Sequence, residues 1–225
     1  MNKTKIPWCD WTWNPIVGCS PASEGCANCY AAAMSKRFHL PWSEAHFMQD
    51  RLAQPQEVRK PGHVFVCSMS DMGHETTQPE WRERIYAAMH RARWHQYIIL
   101  TKRPGAWMRE IPVHPVKCWV GVTAETQAHY DDRWFDLTAN VQRPGHGALF
   151  VSVEPMLGRI DIRDGRPMKP SWVIAGPETG PKKRAFSDSW IDNVHGFQGL
   201  HEQCKQEGIP FFDKRDTWTS REFPT

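Results

Sequence analysis

The chain is predicted to be α/β, an incomplete (β/α) barrel of six to seven parallel strands built as one domain over residues 1–225. Three observations predict it. Short, continuously apolar runs alternate with amphipathic helical stretches, the pattern of parallel strands covered on their outer face. Nearly every apolar run ends in polar or charged residues. Two connections, 104–117 and 157–171, read as loops rather than full helices, so the round of β/α units is left incomplete.

In chain order, residues 11–17 read as a first short strand that Pro15 bends into a cysteine-bearing loop. Residues 27–38 are helical, with Tyr30, Met34 and Phe38 at four-residue spacing, and the polar stretch 41–61 holds a second short helix and a loop. Residues 63–69 form the next strand. The helix over 79–94 puts Trp81, Ile85 and Met89 on one face, with Pro79 at its start. Strands follow at 96–100 and 118–122, then a helix over 126–137 carrying Tyr130, Trp134 and Leu137. Residues 149–153 and 172–175 are strands. A last long helix is expected from a cap at Ser187 or Asp188 through Trp190, Val194, Phe197 and Cys204, and residues 209–212 close the sheet.

The polar strand ends locate a site. They are Ser68, Ser70 and Asp71; Thr101, Lys102 and Arg103; Thr123 and Glu125; Ser152 and Glu154; Glu178; and Asp213 with Lys214. In parallel α/β barrels the C-terminal strand ends share one face, and active sites are built there. One such residue means little, because loops are wet. Six sets flanked by apolar chain predict a shared polar cavity.

The loop after the first strand carries Cys19, Cys26 and Cys29, a C-x6-C-x2-C triad within residues 18–30, with Gly18 and Gly25 each just before a cysteine. An odd set does not pair into disulfides. Three readings stand side by side: an iron–sulfur cluster with one open iron, a zinc site completed by Cys9, His39 or His46, and unligated buried thiols. Cys67 and Cys118 sit inside apolar runs and Cys204 on a helix face, where packing accounts for them. Among eleven scattered histidines, His74, just past the second strand, is the one worth testing.

Composition narrows the class. A formal net charge of +3 over 225 residues is too small to imply a nucleic-acid or membrane surface by electrostatics alone. With neither a long apolar run nor a signal peptide, a soluble cytoplasmic protein is expected, with no membrane partner. Seven cysteines in a reducing compartment are ligands or buried thiols before they are disulfides.

The segments WTWNPIVGC, GCANCYA, FVCSMSDM, LTKRP, WVGVTAE, FVSVEPMLG, WVIAGPETGP and IPFF resemble, in this order, a phage- and prophage-associated protein family of unknown function. The resemblance spans about residues 5–212. That family in turn resembles the radical S-adenosylmethionine (SAM) enzymes, its opening being similar to that of spore photoproduct lyase-like members. Here three extra residues separate Cys19 from Cys26, and Asn28 replaces an aromatic residue before the last cysteine. Pro177 and the stretch 213–216 also depart from the phage pattern. The resemblance implies a radical-SAM-like partial TIM barrel whose [4Fe–4S] cluster is held by Cys19, Cys26 and Cys29. It implies reductive cleavage of SAM to a 5′-deoxyadenosyl radical, fed by an electron donor such as flavodoxin or ferredoxin. SAM-binding candidates are then Ser68, Ser70, Asp71, Lys102, Glu125 and Glu154, with Arg103 as an alternative partner for the carboxylate. The basic residues 181–184 and Trp-rich rims allow a nucleotide or nucleic-acid substrate. The alternative is a zinc-stabilised phage binding module without catalysis.

Overall fold

The computed structural model describes residues 1–111, 117–141, 147–163, 168–179, 182–194, 198–215 and 220–224. Its strands are β1 (Asn2–Lys3), β2 (Trp11–Trp13), β3 (Ile16–Val17), β4 (His46–Phe47), β5 (His63–Val66), β6 (Gln96–Thr101), β7 (Lys117–Thr123), β8 (Leu149–Val153), β9 (Trp172–Ala175) and β10 (Phe211–Asp213). Its α-helices are α1 (Tyr30–Phe38), α2 (Gln54–Glu57), α3 (Pro79–Arg91), α4 (Gln127–Asn140) and α5 (Leu200–Gln206).

One eight-stranded sheet dominates, in the order β1-β2-β5-β6-β7-β8-β9-β10. From β2 to β10 every neighbour pairs parallel, and only β1 runs antiparallel, at the edge. Seven parallel strands match the upper end of the expected count. Their spatial order repeats their chain order, so each connection steps the same way along the sheet.

The two faces of the sheet differ. One carries Val64, Val66, Ile99, Val120, Val151 and Val173 in a large aliphatic core shared with Ile85 and Met89 of α3 and Trp134 and Leu137 of α4. The other carries Phe65, Ile98, Phe150, Trp172, Ile174 and Phe212 in a separate, aromatic-rich cluster with Trp8. That second face is strongly concave. Strands β5 and β9 lie four places apart, roughly 19 Å in a flat sheet at the usual strand spacing. Yet the Trp8 ring sits 4.8 Å from Phe65 of β5 and 6.5 Å from Trp172 of β9. Phe223 likewise stacks on both His63 and Trp172, at 5.4 and 5.5 Å. The sheet curls around this aromatic layer.

Three expectations are corrected. The first strand, read over 11–17, is two: β2 joins the main sheet, while β3 turns away to pair antiparallel with β4. The break is at Asn14-Pro15. Buried Asn14 bonds sideways through Oδ1, accepting from the Met69 amide at 2.9 Å and the Ser68 hydroxyl at 3.2 Å. The first helix starts at Tyr30, not Ala27, because Glu24–Cys26 form a 3-10 turn and Cys29 is extended. The long helix from Ser187 is instead a 3-10 turn, Asp188–Trp190, and the short α5, which begins after the extended Gly199. Phe197 lies outside the described residues. Among the described residues no helix is long and apolar enough to cross a membrane.

Removing the indole at the centre of the aromatic layer tests the curled sheet. Trp172→Ala is expected to lose about 3–5 kcal/mol in urea unfolding. Phe135→Ser, on the exposed side of α4, is expected to stay within about 0.5 kcal/mol of the parent.

Candidate functional site

The cysteine loop begins at Gly18, whose φ of +90° turns the chain out of β3 where an added Cβ would lie 2.0 Å from the Glu44 carbonyl oxygen. Beyond it the loop is pinned at three places. At the first, the buried His74 ring receives the Ser20 amide at 3.1 Å and meets the Ser20 hydroxyl at 2.9 Å. Arg103 donates to the Ser20 carbonyl at 2.8 Å. At the second, the Ser23 hydroxyl donates to Glu125 at 2.7 Å, and Gly25 lies so close that a Cβ would meet Glu125 Oε1 at 2.2 Å. At the third, the Asn28 amide donates to Glu178 at 3.0 Å and to the Lys182 carbonyl at 2.9 Å. Arg184 closes this clamp, pairing with Glu178 and donating to the Glu24 carbonyl at 3.0 Å. The segments that follow β5, β6, β7 and β9 thus all grip one loop.

All three cysteines, half-buried, line a cavity of about 1450 Å3. All six polar strand tips reach it: Ser68, Ser70 and Asp71 after β5, Lys102 and Arg103 after β6, Thr123, Ser152 with Glu154, Glu178, and Lys214. Several of these groups also hold the rim. Ser70 donates to the Gly18 carbonyl at 2.6 Å, and Asp71 accepts from Thr101 at 2.5 Å, from the Lys102 amide at 2.9 Å and from the Gly73 amide at 2.9 Å. Glu154 pairs with Lys214. Glu125 lies beneath the wall rather than on it, fully buried and bonded to Lys102, Ser23, Arg133 and His129. Asp213 is buried too, in an ion cluster with Arg215.

The thiols differ in character. Burial, reinforced by Asp71, pushes Cys19 up to about 11 despite Arg103, whose Nη1 stands 3.7 Å from its sulfur. For Cys26, burial works the same way but is outweighed by the Lys102 charge, the amides of Ala22 and Ser23 and the Ser23 hydroxyl, so its pKa is lowered. Among the described residues, no three Cys, His, Asp or Glu side chains already stand at metal-ligand spacing. The Cys19 thiol donates instead to the Ser20 carbonyl at 3.3 Å, and Cys26 accepts from the Ala22 amide at 3.4 Å. The donor set still suits a soft metal cluster: three thiols on one loop, N–H donors aimed at sulfur, and two cations close by to balance thiolate charge.

Sequence reasoning missed Asn28, Ser20, Ser23 and Arg184 as loop anchors. Asn28 was visible as a departure, an amide where an aromatic residue was expected, and the structure supplies its partner in Glu178. The basic stretch 181–184 was read as a possible nucleotide contact; Arg184 is spent on Glu178, and Pro181 lies outside the described residues. His74 is built into the site.

Fold and site together define an α/β protein whose curled parallel sheet carries a three-cysteine loop over a polar cavity at its C-terminal edge. The chain belongs to the family described as Protein of unknown function (DUF5131), whose model matches residues 3–223. No curated protein and no solved structure gives a significant match.

Two measurements follow from these electrostatics. In metal-free protein at pH 8, mass spectrometry after brief alkylation is expected to find Cys26 modified ahead of Cys19, and Lys102→Met to narrow the lead. Arg184 holds the Glu178 carboxyl down to about 2, so the clamp's stabilisation is complete above the ordinary glutamate pKa of about 4.3 and drains away as pH falls toward 2. Hydrogen exchange in residues 24–30 is expected to speed up on moving from pH 6 to pH 3. Glu178→Gln should exchange fast at both, after correction for intrinsic rates.

Proposed function

We propose that this chain is a radical SAM enzyme, an incomplete (β/α) barrel that holds a [4Fe–4S] cluster on Cys19, Cys26 and Cys29. The observation that carries the reading is the convergence of a three-thiol loop and six polar strand tips on one cavity above an aromatic floor. Chain-order strands and a strongly curled sheet support the barrel. When bound, a cluster of this kind supplies an open iron that grips the amino and carboxylate groups of SAM, and an electron that breaks its C–S bond.

The chain's own residues then have separable tasks. Ser20, Ser23 and Asn28 fix the loop so that the sulfurs need not do so. Arg103, beside Cys19, offers positive charge to a carboxylate. Glu154, held by Lys214 at the tip of β8, offers an acceptor to an amino or ribose group. Ser68 lies on the cavity wall and bonds Asn14, while Ser70, Asp71 and Lys102 keep the wall in place. Glu125, with its acceptors filled, fixes Lys102 and the loop from below rather than touching cofactor. The aromatic layer seals the cavity's inner end and keeps water from entering through the sheet.

Anaerobic purification tests the proposal. The expected protein is brown, with iron and sulfide in equal amounts and a broad visible absorbance that Cys26→Ala abolishes. With dithionite and SAM it forms 5′-deoxyadenosine. A colourless protein carrying one zinc per chain would instead establish the zinc-stabilised binding module.

A further inference from the structure

The Arg103 guanidinium is fixed through all three of its nitrogens. Nη2 donates to the Ser20 carbonyl at 2.8 Å and to the Ser20 hydroxyl at 3.0 Å, and Nε pairs with Glu75 at 3.3 Å. Nη1 donates to the Cys19 sulfur at 3.7 Å and stands the same distance from Asp71. The backbone that carries the side chain is held as well. Its amide donates to the Thr101 hydroxyl at 2.9 Å, and its carbonyl accepts from the Trp107 indole at 2.8 Å. Gly73 packs so close that an added Cβ would lie 2.3 Å from that carbonyl oxygen. Only 17% of the side chain is exposed, so its charge is weakly screened.

The cysteines of the loop are served unequally. Cys26 accepts from the Ala22 amide at 3.4 Å and meets the Ser23 hydroxyl at 4.0 Å, both neutral groups. Among the described residues, Cys19 is the one of the three whose sulfur receives a charged N–H donor. A hydrogen bond or a positive charge at a coordinating sulfur favours the more negative, reduced form of an iron–sulfur cluster. A carboxylate has the opposite effect. Asp71 and Glu75 both pair with this guanidinium, so its removal would leave two carboxylates beside Cys19 without their cation.

Taking the cluster site proposed above as given, we infer that Arg103 is a positioning residue for electron entry, raising the reduction potential of the cluster through its charge and its N–H bond to Cys19. In that step one electron passes from an external one-electron donor to the cluster. No bond forms or breaks, and Arg103 keeps its proton throughout. An arginine reserved for a ligand's carboxylate would keep its fork free for two parallel bonds. Here the fork is engaged, so an incoming carboxylate gains the charge of Arg103 while its directed N–H bonds stay with the loop.

Redox titration of the reconstituted full chain, followed by electron paramagnetic resonance, tests this. Arg103→Gln is expected to lower the midpoint by at least about 59 mV, a tenfold loss in the one-electron equilibrium, with iron and sulfide content unchanged. Arg103→Lys, which keeps a charge without the fork, is expected to fall between Arg103→Gln and the parent. Arg91→Gln, which removes an exposed cation from α3, is expected to leave the midpoint in place. A second readout needs no cluster. In metal-free protein, the ratio of Cys19 modification by anionic iodoacetate to that by neutral iodoacetamide is expected to drop at least about threefold in Arg103→Gln; the thiolate fraction cancels from this ratio. An unmoved midpoint, an unmoved ratio, an equal shift in Arg91→Gln, or loss of the cluster from both Arg103 variants overturns the inference and leaves the cluster reading standing. A parent chain that takes up no iron and sulfide removes both.

Discussion

The rim of this protein depends on one carboxylate with no exposure to solvent. Burial alone would raise the Glu125 pKa, but Lys102 and Arg133 overcome it and hold the group ionised. One oxygen takes Lys102 and Ser23, and the other takes Arg133 at 2.8 Å and His129 at 3.0 Å. A lone carboxylate in that position would cost several kcal/mol; with four donors around it, it becomes a joint. It ties the tip of β6 to α4 through the exit of β7, and it meets the cysteine loop at Ser23 and Gly25. Glycine is required at 25 by contact, since any Cβ would overlap the carboxylate. Loop, strand tip and helix therefore cannot shift independently.

Such a polar rim is affordable because the sheet separates its faces along the strands as well as across them. On the concave side, Phe150 is followed by Ser152 and Glu154, and Trp172 and Ile174 by Glu178, so apolar floor gives way to polar wall within one or two strand periods. Gly121 makes room on β7 for the Phe150 ring, which an added Cβ would meet at 2.6 Å. The floor excludes water, so ion pairs such as Glu154–Lys214 operate where they are worth more than on an open surface.

Most of the sheet was legible, because its strands are buried on both sides and leave unbroken apolar runs. The strands at β6, β7, β8 and β9 fall within a residue of the runs that predicted them. The failures lie where side chains outweigh periodicity. Nothing local in residues 11–17 says that Asn14 will spend its amide oxygen on Met69 and Ser68, more than fifty residues on, and split the strand. The cavity was legible as a row of polar strand ends, whereas the division of labour among them was not. Glu125 and Glu154 have similar sequence contexts, three residues and one residue past an apolar run. Only the fold puts the first under a loop and the second on a wall.

The loop's anchors alternate with its cysteines: Cys19 with Ser20, Ser23 with Cys26, Asn28 with Cys29. Every anchor bonds to a segment that follows a strand of the main sheet, while the sulfurs bond weakly, to the loop's own backbone, to the Ser23 hydroxyl and to Arg103. In a structural zinc site the thiolates themselves are the staple, and the loop around them has no other reason to hold its shape. Here the loop is also held by hydroxyls, an amide and glycine contacts. On the proposed reading, three thiols that line one cavity and are not the loop's main anchors are the groups available to hold a cluster there. Their environments are unequal, with Cys26 eased toward thiolate by Lys102 and Cys19 kept protonated by burial and the nearby Asp71.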